Sequence, residues 1–362
     1  MNTERTREGN MDVLRILAAL GVIILHYNNE HGGGGLTLVK WLSPSFIVLS
    51  FLEAISLCAV NVFILISGYY SCQKTSVRII KPIMLIFEVI FFRVLFTVAS
   101  ILLGFEEFQL KKLIGSFLPL DYYVILFSCL FVISPYINIT LKSLSKDGLK
   151  KLIVILLVFF TFLPFITDSA QYITGESFSS MSTISTMGSG YGHTIVHFVV
   201  MYICGACLRL LNPVIKRIKL IITMIICSLI ICLLIVISFV LKVDITFASS
   251  YCNPFIILFS LAVFIVFHSY SIRENKVIKV LAKASFTVYI THSYFIAKVG
   301  VDKIAGKSSV FLQLTHVVIS CLTLYAVGVV AHMVYSFIEG HLLYKILPKK
   351  IKEGTVSPKI NV

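Results

Sequence analysis

"MDVLRILAALGVIILHYNNE", residues 11–30, decides how the rest of the chain is read. It is greasy enough to cross a membrane, yet Arg15 sits near one end and His26 near the other. A charged side chain within a bilayer-spanning helix costs roughly 2.5 to 3.5 kcal/mol on insertion scales, so something must offset it. Asp12, one turn before Arg15, is placed to pair with it. His26 lies about 16 Å beyond Arg15 at the helical rise per residue, and Asn28, Asn29 and Glu30 follow.

The whole chain has the same character. Of its 362 residues 58% are hydrophobic and only 13% are charged, with a mean hydropathy of +0.96, which excludes a water-soluble domain. A span needs about 20 mostly apolar residues. Ten stretches qualify: 12–29, 46–70, 79–103, 119–141, 152–167, 194–211, 220–241, 252–270, 284–300 and 309–338. The fifth is short and ends near Pro164, and the last is long enough to tilt or bend. Arg15 breaks the apolar run that a cleaved signal peptide would need, so the first helix is read as an uncleaved span.

Ten spans put both termini on one side. With that assignment 22 of the 31 Lys and Arg residues fall on the terminus side, seven fall opposite, and Arg15 and Arg93 lie within spans. The positive-inside rule then makes both termini cytoplasmic and explains the net charge of +14 without nucleic acid. The expected fold is an all-α polytopic helix bundle in the cell membrane. Residues 1–345 form one membrane-embedded domain, and 346–362 form a basic cytoplasmic tail. Nine cysteines lie mostly in apolar runs, and Cys204-x-x-Cys207 has no second pair to complete a metal site, so they read as packing residues and no metal is expected.

In this topology the first helix runs outward, with Arg15 at the cytoplasmic face and His26 towards the outer one. "HGGGG" at 31–35 and "SFSSMSTISTMGSGYGH" at 177–193 become outer loops, read either as flexible surfaces for a sugar-like partner or as plain connectors. Glu88 and Arg93 share the third span, paired with each other or with other helices. His26 has two readings: a neutral ring bonded to a backbone carbonyl, or a general base towards a hydroxyl. No internal repeat and no matched pair of broken helices supports a transporter.

Four segments carry a resemblance. "DVLRILAALGVIILH" at 12–26, with Arg-x10-His, resembles the opening of the acyltransferase type three family, integral-membrane enzymes that O-acylate cell-surface polysaccharides and glycolipids. "AVNVFILISGYY" at 59–70 is similar to that family's Phe-x-x-x-Ser-Gly-Tyr segment, matched by Phe63, Ser67, Gly68 and Tyr69. "DYYVILFSCLFVISPYI" at 121–137 resembles its aromatic pair before a Leu-rich run and Ser-Pro, and "SFTVYITHSYFI" at 285–296 its late histidine, here His292. Two departures stand out. The arginine-rich start of the family's third span is reduced to Arg78 and Lys81, and its tryptophan is replaced by Tyr122 or Tyr123 after an Asp.

The resemblance implies a cytoplasmic acetyl-CoA donor held by Arg15, Arg78 and Lys81. It implies an acceptor hydroxyl on a surface polysaccharide or lipid-linked glycan, with His26 as general base or, alternatively, as acyl carrier. Arg93 is implied at the developing oxyanion and His292 as a second group in the site; a packed core histidine is the other reading of His292. Ser67 and Gly68 read as tight helix packing rather than as a nucleophile. The competing functions are a polytopic transporter of a glycan or lipid intermediate, and a membrane scaffold or sensor.

Overall fold

The computed structural model describes residues 9–178, 181–186, 188–242, 246–343 and 347–358. Helices dominate: α1 (Gly9–Asn28), α2 (Gly35–Leu38), α3 (Pro44–Ser56), α4 (Ala59–Ser71), α5 (Ile80–Leu102), α6 (Leu110–Ser116), α7 (Tyr122–Ser143), α8 (Lys146–Leu157) and α9 (Leu163–Thr174). Then come α10 (Ile195–Leu211), α11 (Arg217–Leu241), α12 (Thr246–Ser249), α13 (Pro254–His268), α14 (Lys276–Phe295), α15 (Val301–Ile304), α16 (Val310–Ile338) and α17 (Lys349–Glu353).

The ten expected stretches all fall on helical segments, two of them divided between successive helices. Seven helical segments are long and apolar enough to span: Gly9–Asn28, Pro44–Ser71, Ile80–Leu102, Tyr122–Ser143, Lys146–Thr174, Arg217–Leu241 and Val310–His341. Ile195–Leu211 and Pro254–His268 are shorter, and α14 opens with Lys276, Lys279 and Lys283. Outward-facing side chains on α11 include Ile218, Ile222, Ile225, Leu229 and Leu233, a surface suited to lipid rather than water.

Local chemistry sets the ends. Ser43 accepts from Phe46 N ahead of Pro44, Asp121 caps α7 and Asn253 caps α13 ahead of Pro254. The stretch expected at 46–70 breaks between Ser56 and Ala59 into α3 and α4. The fifth is longer than expected, since α8 runs through a π-turn at Val158–Phe162 into α9. That turn immediately precedes Pro164, which cannot donate a backbone hydrogen bond and crowds the preceding turn.

The helix α1 lies at the centre, packed against α3, α4, α13, α14 and α16. Loops meet at the end where it begins. Asn10 Nδ2 donates to Phe267 O and Tyr270 O, both at 2.9 Å, and Asn138 Nδ2 to Ser71 O and Lys74 O at 2.9 and 2.8 Å. The tail is docked there as well. Strands β1 (Val77–Arg78) and β2 (Thr355–Val356) pair antiparallel, and Ile79 N donates to Gly354 O at 3.0 Å.

Candidate active site

The two sequence-marked histidines meet. His26 on α1 and His292 on α14 stand edge to face, with ring centroids 4.6 Å apart at 76°. His26 Nδ1 donates to Val22 O at 3.0 Å, and His292 Nδ1 to Val288 O at 3.2 Å. A carbonyl only accepts, so each bond places the hydrogen of the neutral ring on Nδ1 and leaves Nε2 as the basic nitrogen. His292 Nε2 is buried with no partner among the described residues. Of the two readings of His26, the structure carries the backbone-carbonyl bond, which orients the ring and leaves Nε2 as its basic nitrogen.

A cavity of about 400 Å³ lies about one helical turn from this pair, and neither histidine lines it. At one end it is lined by Arg15, Lys74 and Lys283, and further in by Val22, Tyr123 and Tyr289. Val22 lies one turn before His26 and Tyr289 one turn before His292, so the inner end of the cavity lies next to the histidines. Arg15 and Val22 are about 10 Å apart along α1, which gives the length of this wall.

Beyond the histidines the first three residues of the "DYY" segment divide the surroundings. The Tyr289 hydroxyl donates to Asp121 Oδ1 and Oδ2, both at 3.1 Å, and Asp121 Oδ1 accepts from Val124 N at 3.0 Å. Burial pushes the Asp121 carboxyl up, and these hydrogen bonds work against that rise. Tyr122 stacks on exposed His193 at 4.0 Å between centroids, and Tyr123 faces the cavity.

Described residues of both loops near this end make backbone hydrogen bonds. Gly33 N donates to His26 O at 2.8 Å, and a Cβ at Gly32 would stand 2.1 Å from His26 O, so the glycines are there for close approach over the end of α1. In the second loop Ser189 N donates to Asp168 Oδ2 at 3.1 Å and Tyr251 N to Tyr191 O at 2.9 Å.

The other sequence-marked residues are placed as follows. Arg15 Nη1 bonds Asp12 Oδ1 at 2.7 Å, the expected pairing, and lines the cavity. Arg78 is exposed in β1, and Lys81 lines a separate hollow with Glu88 and Glu339; neither lines the cavity. Arg93 Nη2 donates to Gly115 O at 3.4 Å, and among the described residues its buried Nε has no partner and it makes no hydrogen bond to either histidine. Glu88 does not pair with Arg93: its Oε1 accepts from Thr287 at 2.5 Å, and Thr287 in turn bonds His332 Nδ1 at 2.9 Å.

Sequence reasoning missed Lys74, Lys283 and Asp121. The two lysines read as basic flanks because nothing along the chain tells which flank faces the interior. Asp121 was visible only as an addition before the tyrosine pair.

A protein-family model described as an acyltransferase domain, of type three, matches residues 8–333. No curated protein and no solved structure matches the chain. The match runs from α1 and its Arg15 and His26 into α16, beyond His292, and takes in every wall of the cavity. The chain belongs to the acyltransferase type three family, and is a multi-pass membrane acyltransferase.

Proposed function

We propose that the protein is an O-acetyltransferase that moves an acetyl group from acetyl-CoA, entering from the cytoplasm, to a hydroxyl of a surface polysaccharide or lipid-linked glycan in the cell membrane. The observation that carries this reading is one cavity with three cationic side chains at one end and a histidine pair beside the other. Phosphates of the donor suit Arg15, Lys74 and Lys283, and the acyl arm suits the largely apolar inner wall. Arg78 and Lys81 add positive charge on the loop and helix that follow Lys74. The loops that meet where α1 begins carry most of the Lys and Arg residues, which supports both termini being cytoplasmic.

The chemistry follows from the ring orientation. His26 Nε2 takes the proton of the acceptor hydroxyl as its oxygen bonds the acyl carbon. The carbon–sulfur bond then breaks, and the departing thiolate recovers that proton. His292 Nε2 accepts a hydrogen bond in the same space, and two adjacent neutral rings discourage charging more than one at a time. Ser67 lines the cavity wall with no basic partner on its own helix and serves as a packing residue beside Gly68.

The test is the O-acetyl content of the host's surface polysaccharide by proton NMR, in wild-type, deletion and His26→Ala strains with matched protein in the membrane. Loss of the signal in both altered strains is the expected result. Persistence in both removes that polymer as acceptor, and acetyl content unchanged in His26→Ala alone removes His26 as the base.

A further inference from the structure

Asp121 stands just before α7, half-buried, where two jobs already use its oxygens. Its Oδ1 caps α7 by accepting from Val124 N at 3.0 Å, and both oxygens accept from the Tyr289 hydroxyl at 3.1 Å. Neither job needs a carboxylate. Asn caps a helix as well as Asp does, and its amide oxygen accepts from a phenol just as well. What Asp alone adds is a full negative charge, held where burial makes it costly.

The surroundings give that charge a use. Tyr289 lies one turn before His292 and lines the inner end of the cavity, with its ring 6.1 Å from that of His292, which in turn stands 4.6 Å from His26. Three titratable groups on or around α1 are hydrogen-bonded to side chains other than His26. Glu53 of α3 accepts from Asn28 at 3.0 Å, His316 of α16 bonds Tyr27 at 2.8 Å, and Asp12 holds Arg15. His292, facing His26 from α14, is itself a base and repels a second positive charge.

We propose that Asp121 is a positioning residue for the transfer step, fixing the Tyr289 hydroxyl at the inner end of the cavity and supplying the negative charge that balances the imidazolium formed on His26. This rests on the acyl-transfer reading above. The proton passes from the acceptor oxygen to His26 Nε2 and then to the leaving thiolate, so Asp121 gains and loses nothing over the cycle.

The experiment is transfer of label from radioactive acetyl-CoA to the host's polysaccharide fraction in isolated membranes, comparing wild type, Asp121→Asn, Tyr289→Phe and the double variant at matched protein levels. Asp121→Asn keeps the cap, so its turnover is expected to fall about tenfold or more while KM for acetyl-CoA stays within about twofold. Tyr289→Phe loses less, and the double variant is no slower than Asp121→Asn, because the two residues act as one unit. Asp121→Asn at the wild-type rate makes Asp121 a helix cap only and overturns the proposal. Independent, multiplying losses also overturn it, since Asp121 then does not act through Tyr289. Wild-type membranes that transfer no label overturn the acyl-transfer reading itself, whereas active wild type with equally active Asp121→Asn overturns this proposal alone.

Discussion

A histidine that donates Nδ1–H to the carbonyl one turn back has its ring fixed by its own helix, and α1 and α14 each provide this for one member of the pair. The neighbouring carboxylate is the less comfortable residue. Burial raises the Asp121 carboxyl above the ordinary carboxylate value of about 3.9, so its ionisation costs stability that appears as pH rises past that value. Asp121→Asn is therefore expected to melt at a higher temperature than wild type at pH 7, with the gap closing as pH falls to about 4. A lower melting temperature at pH 7 would contradict this. At the other end of the cavity, Lys74→Gln or Lys283→Gln is expected to raise KM for acetyl-CoA several-fold with little change in turnover, and raising the salt concentration should shrink the effect. An unchanged KM in both variants removes the lysines from the donor site. His26 and Arg15 were legible in the sequence because charge inside a span is conspicuous. Lys74 and Lys283 were not, because a lysine at a helix end is common and nothing in the local pattern tells that these two exposed side chains line one cavity.

Helices α4 and α10 pack as closely as backbone allows. A Cβ on Gly68 would stand 2.1 Å from Tyr202 O, and one on Gly205 would stand 2.3 Å from Leu65 O. Small residues at facing positions are how membrane helices gain contact where lipid offers no hydrophobic drive to associate. Gly205→Ala is expected to cost about 1 to 3 kcal/mol by overpacking, read as a lower melting temperature in detergent. Wild-type stability would mean that the two helices slide apart without penalty. Gly68, read from the sequence as a packing residue, was legible through its Ser-Gly-Tyr context, whereas Gly205 between Cys204 and Ala206 gave no such cue. Helix positions were legible throughout from apolar length alone. The break at Leu57–Cys58 was not, since no proline or glycine marks it, and neither was the π-turn, which only Pro164 foreshadowed. The close approach made by the "HGGGG" turn was not legible, because glycine's freedom and its small size leave the same letters in a sequence.

Across the whole molecule, the tail is part of the architecture. Thr355 and Val356 pair with Arg78 and Val77, so the chain's last described residues brace the loop that carries Lys74. Removing residues 347–362 is expected to raise KM for acetyl-CoA by roughly the same factor as Lys74→Gln, while the bundle still inserts. A KM equal to that of the full chain would show that the loop holds its shape unaided. The sequence assigned this segment as a basic appendage from its charge, and pairing across nearly the whole chain length is beyond what local pattern records.

The central place of α1 sets a schedule for synthesis. This helix is made early relative to its partners: the α14 residues that face His26 and the α16 residues that hold Tyr27 follow more than 250 positions later. Until then a polar, charged segment waits in the membrane with α3, α4 and finally α13 beside it, and Asp12 already bonds Arg15. A nascent chain halted before residue 276 therefore holds an unfinished core, the kind of species that membrane quality-control proteases remove.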